Sequence, residues 1–142
     1  MFVKDRDSSR RTFIDVWRKH NEKTVMDPLE LLILDVILEH PEYHRYLENE
    51  DKAINYEPNR QAGESNPFLH MGMHIALREQ VQNNRPPGVR DIYLQLIDKK
   101  FTSQHELEHL MMECFGRMMW EAQLNNCAPD FIKYLDCIKM LK

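Results

Sequence analysis

The sequence predicts an all-α fold, a single domain of six or seven helices in a bundle. Glycine is scarce, with 4 in 142 residues. Apolar residues recur at spacings of three and four, and strand-like alternation is almost absent. Two segments, Asp27-Pro28-Leu29-Glu30 and Ser103-Gln104-His105-Glu106, carry the spacing of a helix-starting capping box.

Taken in order, Ser8 or Ser9 can cap a first helix that runs to about Lys19, with Phe13, Val16 and Trp17 on its apolar side. Asp27 is an N-cap, Pro28 suits the first helical position and Glu30 completes the box. The residues that follow are apolar almost all round, which predicts a central buried helix over 28–40. Pro41 stops it, and PEYHRYLE forms another short helix. The polar stretch 49–66, with Pro58 and Gly63, is expected to be a long surface crossover. Asn66-Pro67 opens a second central helix over 67–82, NNRPPG at 83–88 is a turn, and Val89 to about Asp98 is helical again. The third central helix occupies 103–124, and a last one ends near Met140 after Cys127-Ala128-Pro129-Asp130. The whole of 1–142 is read as one domain.

A formal charge of −4 gives no general attraction to nucleic acid or anionic lipid, and Arg10 and Arg11 make only a small basic spot. The charged N-terminal stretch lacks a signal-peptide core. The longest apolar run, LLIL and then VIL, is broken by Asp35 and is too short for a bilayer. Neither nucleic acid nor membrane is therefore an expected partner, and a cytoplasmic location is expected. Cys114, Cys127 and Cys137 are odd in number and form no C-x-x-C, so reduced thiols are expected rather than a disulfide framework.

HELEH at 105–109 matches the zinc-protease pattern H-E-x-x-H, two histidines and a general-base glutamate on one helical turn. The protease reading is disfavoured. Glu108 stands between the glutamate and the second histidine, Met112 replaces the glycine of the extended motif, and no histidine follows His109.

Six of the 7 histidines fall in pairs four residues apart: His40/His44, His70/His74 and His105/His109. On a helix this spacing places two imidazoles on one face, able to chelate a transition metal such as zinc, iron, nickel or copper. Pro41 interrupts the first pair, although His44 could reach a site alone. His70 and His74 lie in the stripe of Met73, Leu77 and Val81, which should face the core. Buried imidazoles need partners, either a metal or a carbonyl or carboxylate. On the long helix the apolar stripe is Leu107, Met111, Cys114, Met118 and Ala122, with Glu106, His109, Glu113 and Arg117 opposite. That opposite side is either solvated or the lining of a pocket. In the second case Glu106 and His109 form an E-x-x-H element of the kind found in di-metal bundles. Asp35 and Glu39 are expected to form an exposed strip, or failing that to give a carboxylate ligand or orient a histidine.

Five segments together carry a family resemblance: HPEYH (40–44), NPFLHMGMH (66–74), RPPG (85–88), EHLMMEC (108–114), and WEAQ followed by PD and YL (120–135). They resemble the domain of unknown function 1841 family over roughly residues 10 to 140, NPFLHMGMH being the most specific. The resemblance implies a bacterial, cytoplasmic, helical protein and supplies no activity.

The expected function is transition-metal binding, with zinc, iron or nickel as the ion. His70, His74, His109, Glu113 and Glu106 are the candidate ligands and His44 is next in line. The alternative is a helical interaction module with structural histidines and an apolar surface for a protein partner or a second copy.

Overall fold

The computed structural model describes residues 6–57, 66–99 and 103–141. Among them are eight α-helices, one 3-10 turn and no strand. The all-α expectation is met, with one or two more helices than predicted. The chain divides into two compact units, Met1–Ile75 and Ala76–Lys142, and one uninterrupted helix passes through the boundary.

In the first unit, α1 (Arg6–Asn21) begins before Ser8 and Ser9, which lie inside it, and carries Asp7 in its first turn. Its last turn holds Arg18, Lys19 and His20, the sign that the exposed carbonyls favour. Beyond it Lys23 takes a φ of 59°, and the Thr24 N–H returns to the Lys19 carbonyl at 2.9 Å. Helix α2 (Pro28–Leu38) starts on the predicted box. The Asp27 carboxylate accepts from the Glu30 N–H at 2.8 Å, and Glu30 accepts from the Asp27 N–H at 3.1 Å. Pro41–Tyr43 form the 3-10 turn, followed by α3 (His44–Leu47).

The segment 49–66 departs from the expected crossover. It contains α4 (Glu50–Asn55), capped by Asn49, with Ala53 fully buried; 58–65 lie outside the described residues. The physical reason is Arg10. It is not part of a surface basic spot but is buried, and its guanidinium donates to the carbonyls of Ala53, Ile54 and Tyr56. Those carbonyls lie in the last turn of α4 and its cap, where intrahelical donors run out; Ala53 also accepts from the Tyr56 N–H at 3.4 Å. The guanidinium also lies over the Phe68 ring, 4.8 Å from its centroid. Helix α1 packs on α2, α3 and α4. The core of this unit is Phe13, Val16, Ile33, Val36, Ile37, Leu47, Met71 and Ile75 with their neighbours.

The boundary helix is α5 (Pro67–Asn83), which starts at the predicted Asn66: its side chain accepts from the N–H groups of Phe68 and Leu69. In the second unit Asn84, at φ 52°, receives the N–H groups of Gly88 and Arg90 and so shapes the predicted turn into α6 (Val89–Lys99). Helix α7 (Gln104–Leu124) is capped by Ser103, and α8 (Phe131–Lys139) by Asp130. Leu107, Met111, Cys114, Met118 and Ala122 are buried, as the stripe on α7 predicts. They pack with Leu77, Val89, Leu96, Tyr134 and Ile138. Burial pushes the Tyr134 phenol up, and its hydroxyl donates to the Gln80 side chain at 2.6 Å.

The cysteines correct the sequence reading. Cys114 and Cys137 form a disulfide, because α7 packing on α8 brings their Cα atoms to 5.8 Å across 23 residues. Only Cys127 is free, and it is exposed.

Two stability predictions follow from the α2 start. Asp27→Ala removes the cap and costs about 1 kcal/mol, read as a fall of roughly 3 °C in Tm. The second concerns the Lys19–Glu30 ion pair, which ties α1 to α2. The hydrogen bond from Lys19 holds the Glu30 carboxyl below its usual range, and the same bond holds the Lys19 ammonium above its own. The Glu30 contribution is present above the unfolded carboxyl value of about 4.3 and fades as pH falls through the depressed folded value. The Lys19 contribution is present below about 10.4 and fades as pH rises through the raised one. Lys19→Met is therefore expected to flatten both limbs of a Tm-against-pH curve relative to the parent, leaving the other carboxylates' acid loss in place.

Candidate metal centre

In the first unit three imidazoles gather where the end of α2 meets α5. His40 follows α2 and is 4% exposed. Its Nδ1 lies 2.7 Å from the Val36 carbonyl, which can only accept, so Nδ1 carries the hydrogen and Nε2 keeps a lone pair. Tyr43 stacks flat on the ring, 5.5 Å between centroids at 3°. From α5 come His70 and His74, at 5.1 and 4.9 Å from the His40 centroid. Their Nε2 atoms are 3.2 Å apart, so one donates to the other. His74 is fully buried and His70 half-buried. Ligand nitrogens of His40 and His74 lie within 4.8 Å of each other.

The buried face of α5 differs slightly from the expected one. Met71, His74, Ile75, Leu77 and Arg78 are buried, while Met73 and Val81 are intermediate. His74 is thus more central to the core than His70.

His44 is turned elsewhere. Its Nε2 donates to the Ile37 carbonyl at 2.8 Å, and its ring lies 4.4 Å from that of Trp17. Asp35 and Glu39 are exposed, in keeping with a solvated strip.

In the second unit the ring centroids of His105 and His109 are 4.2 Å apart, one turn from each other on α7. Their ligand nitrogens also lie within 4.8 Å. His105 is half-buried and His109 exposed. Glu106 and Glu113 are exposed, Glu106 in the first turn of the helix.

Glu108, read in the sequence only as an obstacle to a protease motif, is 1% exposed. It receives Arg78 side-on, Nε to Oε2 at 2.9 Å and an Nη to Oε1 at 3.1 Å. The pair joins the end of α5 to α7 inside the second unit. Burial, and then the Glu108 charge, push the nearby Tyr93 phenol up, while Arg78 acts in the opposite sense. Sequence reasoning missed this pair because a Glu flanked by polar and apolar neighbours carries no local sign of burial. It also left His40 and His105 outside the candidate ligands, although both belong to the histidine pairs it found.

These observations define an all-α protein that buries histidines from facing elements and a bidentate ion pair. The chain belongs to the family described as Domain of unknown function (DUF1841), which matches residues 5–140. No curated protein and no solved structure matches it.

Breaking the ion pair is expected to be costly. Arg78→Met leaves a buried carboxylate without its guanidinium and should lose about 3–5 kcal/mol in urea unfolding. Adding Glu108→Leu should restore most of that loss, because the uncompensated charge is removed as well.

Proposed function

We propose that this protein binds divalent transition metal through imidazoles, with His40 and His74 as the ligand pair of the first unit and His105 and His109 as a separate pair in the second. The observation that carries the reading is the buried His40–His74 pair. Its two ring nitrogens are within chelating reach beside the apolar side chains of the first unit's core, and the Val36 carbonyl already holds His40 in the tautomer a metal requires. His105 and His109 offer a second pair at the spacing of one helical turn. Imidazole nitrogen donors suit zinc, iron, nickel or copper rather than magnesium or calcium. In this reading His70 accepts or supplies the proton that His74 exchanges on binding. His44, Glu106 and Glu113 stay outside the ligand set.

No helix among the described residues is long and apolar enough to cross a membrane. A cytoplasmic location, expected from the charged N-terminal stretch, is retained as part of the proposal.

A helical interaction module is a second reading. It is favoured by the exposure of Trp120, Leu124, Phe131 and Ile132 on either side of the α7–α8 turn.

Elemental analysis of protein prepared without a histidine tag separates the two. Bound metal is expected, the share held by the first unit being lost in His40→Ala/His74→Ala and the share held by the second in His105→Ala/His109→Ala. At a free ion concentration about 100 times the Kd of a pair, that pair should add about 2.7 kcal/mol of stability that its own double variant does not gain. If metal stays bound in both double variants, the pairs are not the ligands. Metal-free protein whose Tm ignores added zinc, iron and nickel, but which forms a defined oligomer by light scattering, would favour the module.

A further inference from the structure

The second unit carries a cleft of about 390 Å³ whose lining includes both cysteines of the Cys114–Cys137 disulfide. The two cysteines are not equivalent. Cys114 is 3% exposed, whereas Cys137 is only half-buried. The cleft wall holds two cations, Arg117 and Lys133, and three carboxylates, Glu121, Asp130 and Asp136. Arg117 lies one helical turn beyond Cys114 and Lys133 one turn before Cys137. Of the two cysteines in the cleft wall, Cys137 is the more exposed and so the one an incoming thiolate reaches more readily.

We propose that Cys114–Cys137 is an exchangeable redox pair and that its cleft admits a zwitterionic low-molecular-weight thiol, one bearing both carboxylate and ammonium groups. The thiol releases its proton to water, and its thiolate attacks Sγ of Cys137. A new S–S bond forms there, the Cys137–Cys114 bond breaks, and the electron pair leaves on Cys114, which takes a proton from water. A second thiolate attacks the bound thiol's sulfur, releasing the small disulfide and Cys137, which is then protonated. The balance is one protein disulfide and two thiols converted to one protein dithiol and one small disulfide. Neighbouring cations ease the departure of Cys114 as a thiolate. Disulfides in reducing compartments are usually transient or redox-sensing, and an accessible, charge-lined bond fits that use. This proposal stands apart from the metal reading: its groups all lie on α7, α8 and the Asp130 cap.

Wild-type protein and a Cys127→Ser variant, folded and without denaturant, are treated with glutathione or with the neutral thiol 2-mercaptoethanol, matched for thiolate concentration. Acid quenching and peptide mass mapping then locate the mixed disulfide. The expected results are an adduct on Cys137 and a glutathione reaction about tenfold faster than the neutral one. In the Cys127→Ser background, Cys114→Ser should accept oxidised glutathione readily and Cys137→Ser should not. An adduct on Cys114, equal rates for the two thiols, or a linkage reduced only after unfolding would overturn the proposal. Wild-type mapping decides the matter even if either cysteine variant fails to fold.

Discussion

The second unit depends on the Arg78–Glu108 ion pair. A guanidinium and a carboxylate removed from water each carry a desolvation cost of several kcal/mol, recovered only in good geometry. The side-on bidentate contact supplies that geometry and leaves few relaxed alternatives. A pair of this kind acts as a locator more than as a source of stability. It fixes the rotation of α5 about its axis, because Arg78 must point at Glu108. On α7 the same contact fixes the phase of Glu108, and His105 and His109 flank that residue. Within the second unit one charge pair therefore sets the helical phase of both His105 and His109.

Arg10 performs a comparable task in the first unit, with carbonyls in place of a carboxylate. Three acceptors at the end of α4 converge on one guanidinium nitrogen. A short helix cannot hold itself together in water, since nucleation is unfavourable and few bonds follow. Buried Ala53 and the arginine supply what the local sequence lacks. This is why 49–66 looked like a crossover: its residues are polar, and the interaction that folds them comes from a residue more than forty positions away.

Local signals elsewhere were sufficient. The boxes at Asp27 and Ser103, the Asn66-Pro67 start and the NNRPPG turn are decided within a few residues, and each element begins where its cap predicts. The α7 stripe was legible for the same reason, period and burial being one property. Side-chain pairing across elements was not. The disulfide was missed because cysteine count and spacing say nothing of how α7 meets α8. Glu108 was missed because its partner lies 30 residues back. The histidine pairs were visible as spacing, yet spacing could not tell which members turn inward. His40 was discounted for the intervening Pro41, but that proline starts a 3-10 turn that leaves His40 buried beside α5 and sends His44 toward Trp17.

The hydrogen bonds within the first unit also bear on what a metal would do there. His40 donates to the Val36 carbonyl, and His70 and His74 share one hydrogen, so each ring has a hydrogen-bond partner within the unit. That differs from small zinc domains, where ligands are unplaced until metal binds and metal affinity is folding energy. Here the surrounding core of Phe13, Val36, Ile37, Met71 and Ile75 is apolar and buried in its own right. Ion binding would then add to a fold that already exists, exchanging the His70–His74 hydrogen bond for a metal–nitrogen bond. On the proposed reading, such a site would release its ion without unfolding.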